Sequence, residues 1–182
     1  MARAITSFSG NTCIVGRGWA PEYRHSGNGL KFEAPSWYMF SGDKYHSPAI
    51  SYYIDNVRTC AADLVTDFGA LLPPEVVPDK RFSLVILEFL PVALFQKGKF
   101  ALSNAARITS DDGAIEVHSG ESTLRDVAVL LGELGFTGEL AKEIHIQQCS
   151  GDIIRKYFDP GYAAVHYREE IHIDKLVCRR RL

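Results

Sequence analysis

The sequence predicts an α/β fold, a three-layer sandwich built around a mixed and mostly parallel sheet. Short apolar runs typical of buried strands alternate with segments of helical periodicity, and this alternation favours helices packed on a sheet. Two more strand-like segments follow near the C-terminus, with the turn residues Gly151, Pro160 and Gly161 between them, which predicts a closing antiparallel pair. The 182 residues fit a single domain, 1–182.

Four strands are predicted in the first half of the chain, each rich in apolar, β-branched or aromatic residues and followed by turn or acidic residues. They cover residues 11–15, 50–54, 63–65 and 82–87. The last is a largely apolar run, as expected of a strand buried on both faces. Because 12–15 and 82–87 carry turn signals on each side, we expect them to be central neighbours in the sheet.

The second half of the chain predicts two helices and three strands. The helices cover 94–108 and 123–134, and the strands cover 114–118, 143–148 and 163–173. Ser122 or Thr123 can cap the second helix, and Gly135 can end it. Between the first and second predicted strands, segment 21–48 holds six aromatic residues among glycines and prolines. We expect either a short helix near Trp37 or a lid over a site.

The composition argues against several classes of protein. A net charge of −2 at pH 7 disfavours a general nucleic-acid binder. The four cysteines are scattered without a Cys-x-x-Cys pair, so the sequence predicts no metal site and the reduced thiols of a cytoplasmic protein. No apolar run approaches the length of about 18 residues that marks a membrane-spanning helix.

Acidic residues follow three of the predicted strands. Asp55 comes directly after the second strand, Asp67 closely follows the third, and Glu88 comes directly after the fourth. The first strand runs into a turn that holds Gly16 and Gly18. Open α/β sheets bind ligands outside the carboxyl ends of their strands. A glycine turn on one side and a carboxylate on the other therefore indicate a nucleoside-type ligand.

With these motifs the chain resembles the class I S-adenosylmethionine-dependent methyltransferases, a Rossmann-like family. The resemblance implies that S-adenosylmethionine is the cofactor, and that Gly16 and Gly18 lie under its methionine part. It also implies that Asp55 binds the ribose hydroxyls. Asp67, followed by the apolar Phe68, matches the family's acid beside the adenine.

The resemblance covers roughly residues 11–168, and its glycine motif is degenerate. The third glycine of the family's turn falls at Ala20, and the acid usual in the first strand falls at Ile14. Two hypotheses stay open. The chain is an enzyme that methylates a nucleophile on a small molecule or protein, or it is a non-catalytic methyltransferase-like domain that binds a partner. A dinucleotide-binding oxidoreductase fits less well, because the motif lacks its third glycine.

Glu88 is the candidate catalytic residue. It follows a buried strand, so we expect its carboxylate in the crevice, where it can position or deprotonate the nucleophile. An acid that only satisfies a neighbouring helix N-terminus is an equally good interpretation. His118 ends the fifth strand, and a structural role is favoured over one in the crevice. Asp67 is interpreted equally well as the acid of an Asx turn before Gly69.

Overall fold

The computed structural model describes residues 4–16, 51–56, 62–88, 90–150 and 166–181, and only the backbone of 143–150 and 166–173. Gly18, Ala20 and the aromatic-rich segment 21–48 lie outside the described residues. What the sequence predicts for them stays a prediction.

Within the described residues, seven strands form one sheet. In chain order they are β1 (Thr12–Val15), β2 (Ser51–Asp55), β3 (Leu64–Val65), β4 (Phe82–Glu88), β5 (Thr109–His118), β6 (Phe136–Ser150) and β7 (His166–Arg180). Their spatial order is β3-β2-β1-β4-β5-β7-β6. Neighbours from β3 to β5 are parallel, whereas β7 is antiparallel to β5 and β6. The predicted α/β fold, with its mostly parallel sheet and antiparallel C-terminal hairpin, is confirmed.

The strands β1 and β4 are neighbours at the centre of the sheet, as predicted. They pair in parallel, with Val15 opposite Leu87. Every residue of β1 is buried, and so are the last four residues of β4. The chain places β2 on one side of β1 and β4 on the other. This reversal of strand order is the topological switch point at which open α/β sheets bind ligands.

Two α-helices in the described part of the chain pack on one face of the sheet. They are α1 (Ala101–Ile108) and α2 (Glu121–Glu133). Ala105 of α1 and Leu131 of α2 belong to one large buried cluster, together with Val85 and Ile115 of the sheet. No described helix is long and apolar enough to cross a membrane.

The prediction of a single helix over 94–108 is wrong about where that helix begins. The chain forms a short 3-10 helix, Val92–Phe95, and α1 begins only at Ala101. Gly98 between them has a φ of 85°, a left-handed conformation that interrupts a right-handed helix. Apolar residues on both sides of the break keep a helical spacing, which is why the pattern indicated one continuous helix.

The beginning of α2 also differs from the prediction, whereas its end agrees with it. Gly120 is the N-cap of α2 and no side chain caps it, so the capping role predicted for Ser122 or Thr123 is wrong. Gly135 follows the helix with a φ of 85°, and its amide donates to the Gly132 carbonyl at 3.2 Å, as expected of a glycine that ends a helix.

The C-terminal hairpin is longer than the sequence indicated. β6 and β7 pair along their whole length, from Phe136 opposite Arg180 to Ser150 opposite His166. Only residues 175–179 of β7 also pair with β5. We call the remaining part, residues 142–150 paired with 166–174, the distal ribbon.

Candidate functional site

Polar residues and one glycine line up in a single row across the carboxyl ends of the central strands. Across the sheet, this carboxyl-end row consists of Asp55 (β2), Gly16 (after β1), Glu88 (β4), His118 (β5) and Lys175 (β7). The register explains the alignment, because Val15 pairs with both Ile54 and Leu87. The residue that follows each of these three therefore falls in the row, at the switch point.

The row lies on the face of the sheet opposite to α1 and α2. Tyr53 and Ile86, two residues before Asp55 and Glu88, form a small cluster with Ile14 that is separate from the large cluster under the helices. Residues two apart in a strand share a face, so both acids lie on the face of the small cluster. Both are buried, with 7% of Asp55 and 2% of Glu88 exposed. The structure thus brings these two predicted site residues to one end and one face of the sheet.

Gly16 ends β1 in a conformation that other residues rarely adopt. Its φ is 75°, in the left-handed region. A Cβ atom at this position would lie 2.1 Å from Cδ2 of Leu90 and 3.0 Å from the carbonyl oxygen of Glu88. The turn therefore requires glycine for backbone reasons and brings the ends of β1 and β4 into contact. A role of Gly16 in ligand binding stays a prediction.

The loop after β3 carries Asp67 and Phe68, which lie in different environments. Asp67 is exposed, and its Oδ1 accepts a hydrogen bond from the Gly69 amide at 2.8 Å, the contact of an Asx turn. Phe68 is 3% exposed and its ring belongs to the large apolar cluster. The Asx turn is therefore present, and an additional contact of Asp67 with a ligand stays a prediction.

Asn104 of α1 fixes this loop. Its Nδ2 donates to the carbonyl oxygens of Phe68 at 2.9 Å and Ala70 at 2.8 Å. Its Oδ1 accepts from the Leu72 amide at 3.1 Å. Because Asn104 is 1% exposed, these bonds satisfy the polar atoms of its own buried side chain. The loop that carries Asp67 is thus anchored to the helical layer.

Three charged or titratable side chains meet at the β5 and β7 end of the row. Nε2 of His118 lies 2.7 Å from Oε1 of Glu116, and Nζ of Lys175 lies 3.3 Å from the same oxygen. The His118 side chain is 1% exposed, and those of Glu116 and Lys175 are 9% and 19% exposed. We call this group the Glu116–His118–Lys175 cluster. It lies on the same face as Glu88, because Glu88 pairs with His118.

The partners of Glu116 keep its carboxylate ionised. Burial raises the pKa of Glu116, whereas the hydrogen bond and charge of His118 and those of Lys175 lower it. The two partners outweigh burial, so the pKa lies below its usual value. An opposite charge and hydrogen bonds to the charged form favour ionisation. The cluster therefore holds a buried negative charge against two nitrogen donors.

Three residues of this region are not among the candidates predicted from the sequence: Glu116, Lys175 and Asn104. Glu116 and His118 lie two apart on a predicted strand, so a shared face was the one signal available for them. Lys175 is 59 residues from Glu116 and lies beyond the predicted end of the last strand. Its contact depends on a register that only the folded sheet defines.

Comparison with known proteins identifies likenesses of fold. No protein-family model and no curated protein matches the sequence. A suggested methyltransferase from Thermoplasma acidophilum has a similar structure, with a TM-score of 0.50 and 10% identity over 94% of this chain and 68% of that chain. At this identity the likeness shows the fold alone, a Rossmann-like α/β fold.

Two further solved structures are less similar. A precorrin-6y C5,15-methyltransferase from Geobacter metallireducens has a TM-score of 0.47 and 12% identity, over 94% of this chain and 80% of that chain. An S-adenosylmethionine-dependent O-methyltransferase from Thermotoga maritima has a TM-score of 0.49 and 8% identity, over 95% of this chain and 60% of that chain.

Proposed function

We propose that this protein is an S-adenosylmethionine-dependent methyltransferase that acts on a nucleophile of a small molecule or protein, with residues 1–182 as one methyltransferase-like domain. The observation that carries the proposal is the carboxyl-end row at the switch point of the sheet. A fold of this kind hosts many functions, so the residues in the row support the proposal and the fold alone does not. Two buried acids flank a glycine at the position where such sheets bind nucleosides and related ligands.

The residues in the row fit S-adenosylmethionine by their chemistry. Asp55 ends the second strand with a buried carboxyl group, and a carboxylate there can accept hydrogen bonds from both ribose hydroxyls. Gly16 exposes no side chain at the turn between the two acids, and Gly18 follows it in the sequence. Asp67 and Phe68 come after the next strand, where we propose that they lie beside the adenine.

Glu88 is proposed to contact the methyl acceptor. When bound, the cofactor supplies an electrophilic methyl group on a positively charged sulfur. Glu88 stands at the end of the strand next to β1, with its backbone in contact with the Gly16 turn. From that position its carboxyl group can hold a nucleophile in line with the methyl group, which lowers the entropic barrier of the reaction, or can take a proton from it.

The first experiment is calorimetric titration of the protein with S-adenosylhomocysteine, the demethylated product, together with a thermal-shift measurement. A ligand that binds only the native state raises the melting temperature by mass action. Asp55→Asn keeps the shape of the side chain and removes its charge, so we expect it to weaken binding by about 1.5–3 kcal/mol, the range for hydrogen bonds to charged groups.

A matched control separates binding from stability. Asp126→Asn changes an exposed acid of α2, on the helical side of the sheet, and should leave the affinity unchanged. An Asp55→Asn variant that binds as well as the wild type would show that Asp55 is not the ribose acid. If the wild type gives neither heat nor a thermal shift at millimolar ligand, the non-catalytic binding domain becomes the better hypothesis.

A further inference from the structure

The Glu116–His118–Lys175 cluster has a geometry that fixes where the proton of His118 lies. Oε1 of Glu116 is 2.7 Å from Nε2 of His118, which is hydrogen-bond distance. An ionised carboxylate only accepts hydrogen bonds, so Nε2 must carry the proton and donate it. In a neutral imidazole with a proton on Nε2, the nitrogen that accepts a further proton is Nδ1.

Lys175 supports this arrangement from the neighbouring strand. Its Nζ lies 3.3 Å from the same carboxylate oxygen, and its backbone is opposite His118 in the β5–β7 ladder. The pKa of Glu116 is held below its usual value by these two partners despite its burial. Glu116 therefore stays charged at neutral pH and can stabilise a positive charge that forms on the His118 ring.

The cluster lies next to the residue proposed to contact the methyl acceptor. Glu88 and His118 are paired residues of adjacent parallel strands, and such strands are about 4.8 Å apart. Glu88 and His118 also share the face opposite to the helices. The groups that approach this part of the row from the described strands are thus Glu88 of β4, Glu116 and His118 of β5, and Lys175 of β7.

We infer that His118 is the proton acceptor of the site and that Glu116 is its positioning residue. The substrate is then a neutral nucleophile that must lose a proton when it is methylated, such as an alcohol or phenol. A carboxylate that is already ionised does not need this help. This inference rests on the proposed methyltransferase function, and it leaves Glu88 the role of positioning the acceptor.

The step balances as a proton-coupled methyl transfer. The oxygen of the acceptor forms a bond to the methyl carbon, while the bond from that carbon to the sulfonium sulfur breaks and its electron pair stays on sulfur. The hydroxyl proton moves to Nδ1 of His118. Because the His118 side chain is 1% exposed, the ion pair of its protonated ring with Glu116 forms in a poorly hydrated environment, where it is strong.

The first test uses no ligand. Nuclear magnetic resonance of protein labelled with ¹⁵N in its histidines distinguishes the two tautomers, and His118→Asn assigns the signal. We expect a proton on Nε2 of His118 in the wild type at neutral pH. In Glu116→Leu, which has a similar volume and no acceptor, this preference should be lost. A proton on Nδ1 in the wild type would overturn the inference.

The second test measures methyl transfer from radiolabelled S-adenosylmethionine to a panel of phenols and alcohols and to benzoate. We expect His118→Asn to lower transfer to the neutral acceptors by about 10²–10⁴-fold, the range for a lost general base. Transfer to benzoate, where it occurs, should change little. An equal loss for both classes would indicate a structural role and would overturn the inference.

The controls keep the two proposals apart. Glu121→Gln changes an exposed acid on α2 that pairs with Arg125 and should leave both acceptor classes unaffected. Failure of the wild type to bind S-adenosylhomocysteine would refute the methyltransferase proposal, while the tautomer measured without ligand would still decide the geometry of the cluster. Binding of S-adenosylhomocysteine without transfer to any phenol or alcohol would overturn the substrate class.

Discussion

Val85 and Leu87 lie on one face of β4 while Ile86 and Glu88 lie on the other, and the two faces continue differently across the sheet. The first face joins Val15 and Ile115 in the large apolar cluster under α1 and α2. Among the described residues, the apolar cluster on the opposite face consists of Ile14, Tyr53 and Ile86, with Leu84 packed against them, and this face becomes polar toward the carboxyl ends. Both faces are buried, so burial alone does not reveal the site. The site is revealed instead by the type of residue, apolar or polar, at alternate positions of the strands.

The largest expected effect is a loss of stability on the helical face. Ile115 is fully buried in the large cluster, so Ile115→Ala should lower the free energy of unfolding by about 2–5 kcal/mol, the cost of the lost contacts and the cavity. Urea unfolding measures this change. Val129→Ala, at a position that is 67% exposed, is the control. A loss below 1 kcal/mol in Ile115→Ala would mean that this face is not tightly packed.

The second prediction concerns the opposite face, where a substitution should change chemistry more than stability. Glu88→Gln keeps the shape of the side chain, so the fold and the affinity for S-adenosylhomocysteine should persist. If Glu88 positions the acceptor, kcat/KM should fall by about 10–100-fold, because one hydrogen bond to a charged group is lost. Kinetics with the best acceptor and a thermal melt measure both quantities. A drop in melting temperature with unchanged kcat/KM would assign Glu88 to the fold alone.

The smallest expected effect is the pH dependence of stability. The pKa of Glu116 is lower in the folded protein than its usual value of 4.5. Folding therefore favours the ionised form, and the resulting stability is present above pH 4.5 and is lost as the pH falls through the lower folded pKa. As the pH falls below 4.5, the difference in unfolding free energy between the wild type and Glu116→Gln should therefore become smaller. Urea unfolding at a series of pH values measures this difference.

Glu121 provides a contrast on the helical side. The hydrogen bond and charge of Arg125 lower the pKa of Glu121 as well, but both side chains are exposed. About 1 M salt screens exposed charges strongly and buried ones much less. The pH dependence of the stability difference between the wild type and Glu121→Gln should therefore disappear in about 1 M salt. The corresponding pH dependence for Glu116→Gln should persist. Equal salt sensitivity would contradict the burial of the cluster.

The sequence predicted the sheet well because buried strands have local signatures. The apolar runs that became β1 and β4 were identified as central neighbours, and Asp55 and Glu88 were expected at carboxyl ends, where they lie. Their roles as binding and catalytic residues stay predictions. The break at Gly98 was missed, because apolar spacing continues across it and a single glycine does not always end a helix.

The Glu116–His118–Lys175 cluster depends on information that is not local. Glu116 stands between apolar residues in a strand, and its partner Lys175 belongs to a strand whose register is set by the whole hairpin. A shift by one residue would turn Lys175 to the other face. Patterns along the chain indicate which face a residue takes, but they do not indicate which distant residue will lie opposite.

The backbone of β7 is hydrogen-bonded differently inside and outside the distal ribbon. Residues 175–179 of β7 are hydrogen-bonded on both sides, whereas 166–174 continue past the carboxyl end of β5 with β6 as their one described neighbour. At about 3.3 Å per residue this overhang is about 30 Å long, and two-stranded ribbons are marginally stable. Amide hydrogens in the overhang should exchange through local opening, and those of 175–179 only through much larger unfolding. The boundary falls at Lys175, so fraying of the ribbon would stop beside a residue whose Nζ lies 3.3 Å from the buried carboxylate of Glu116.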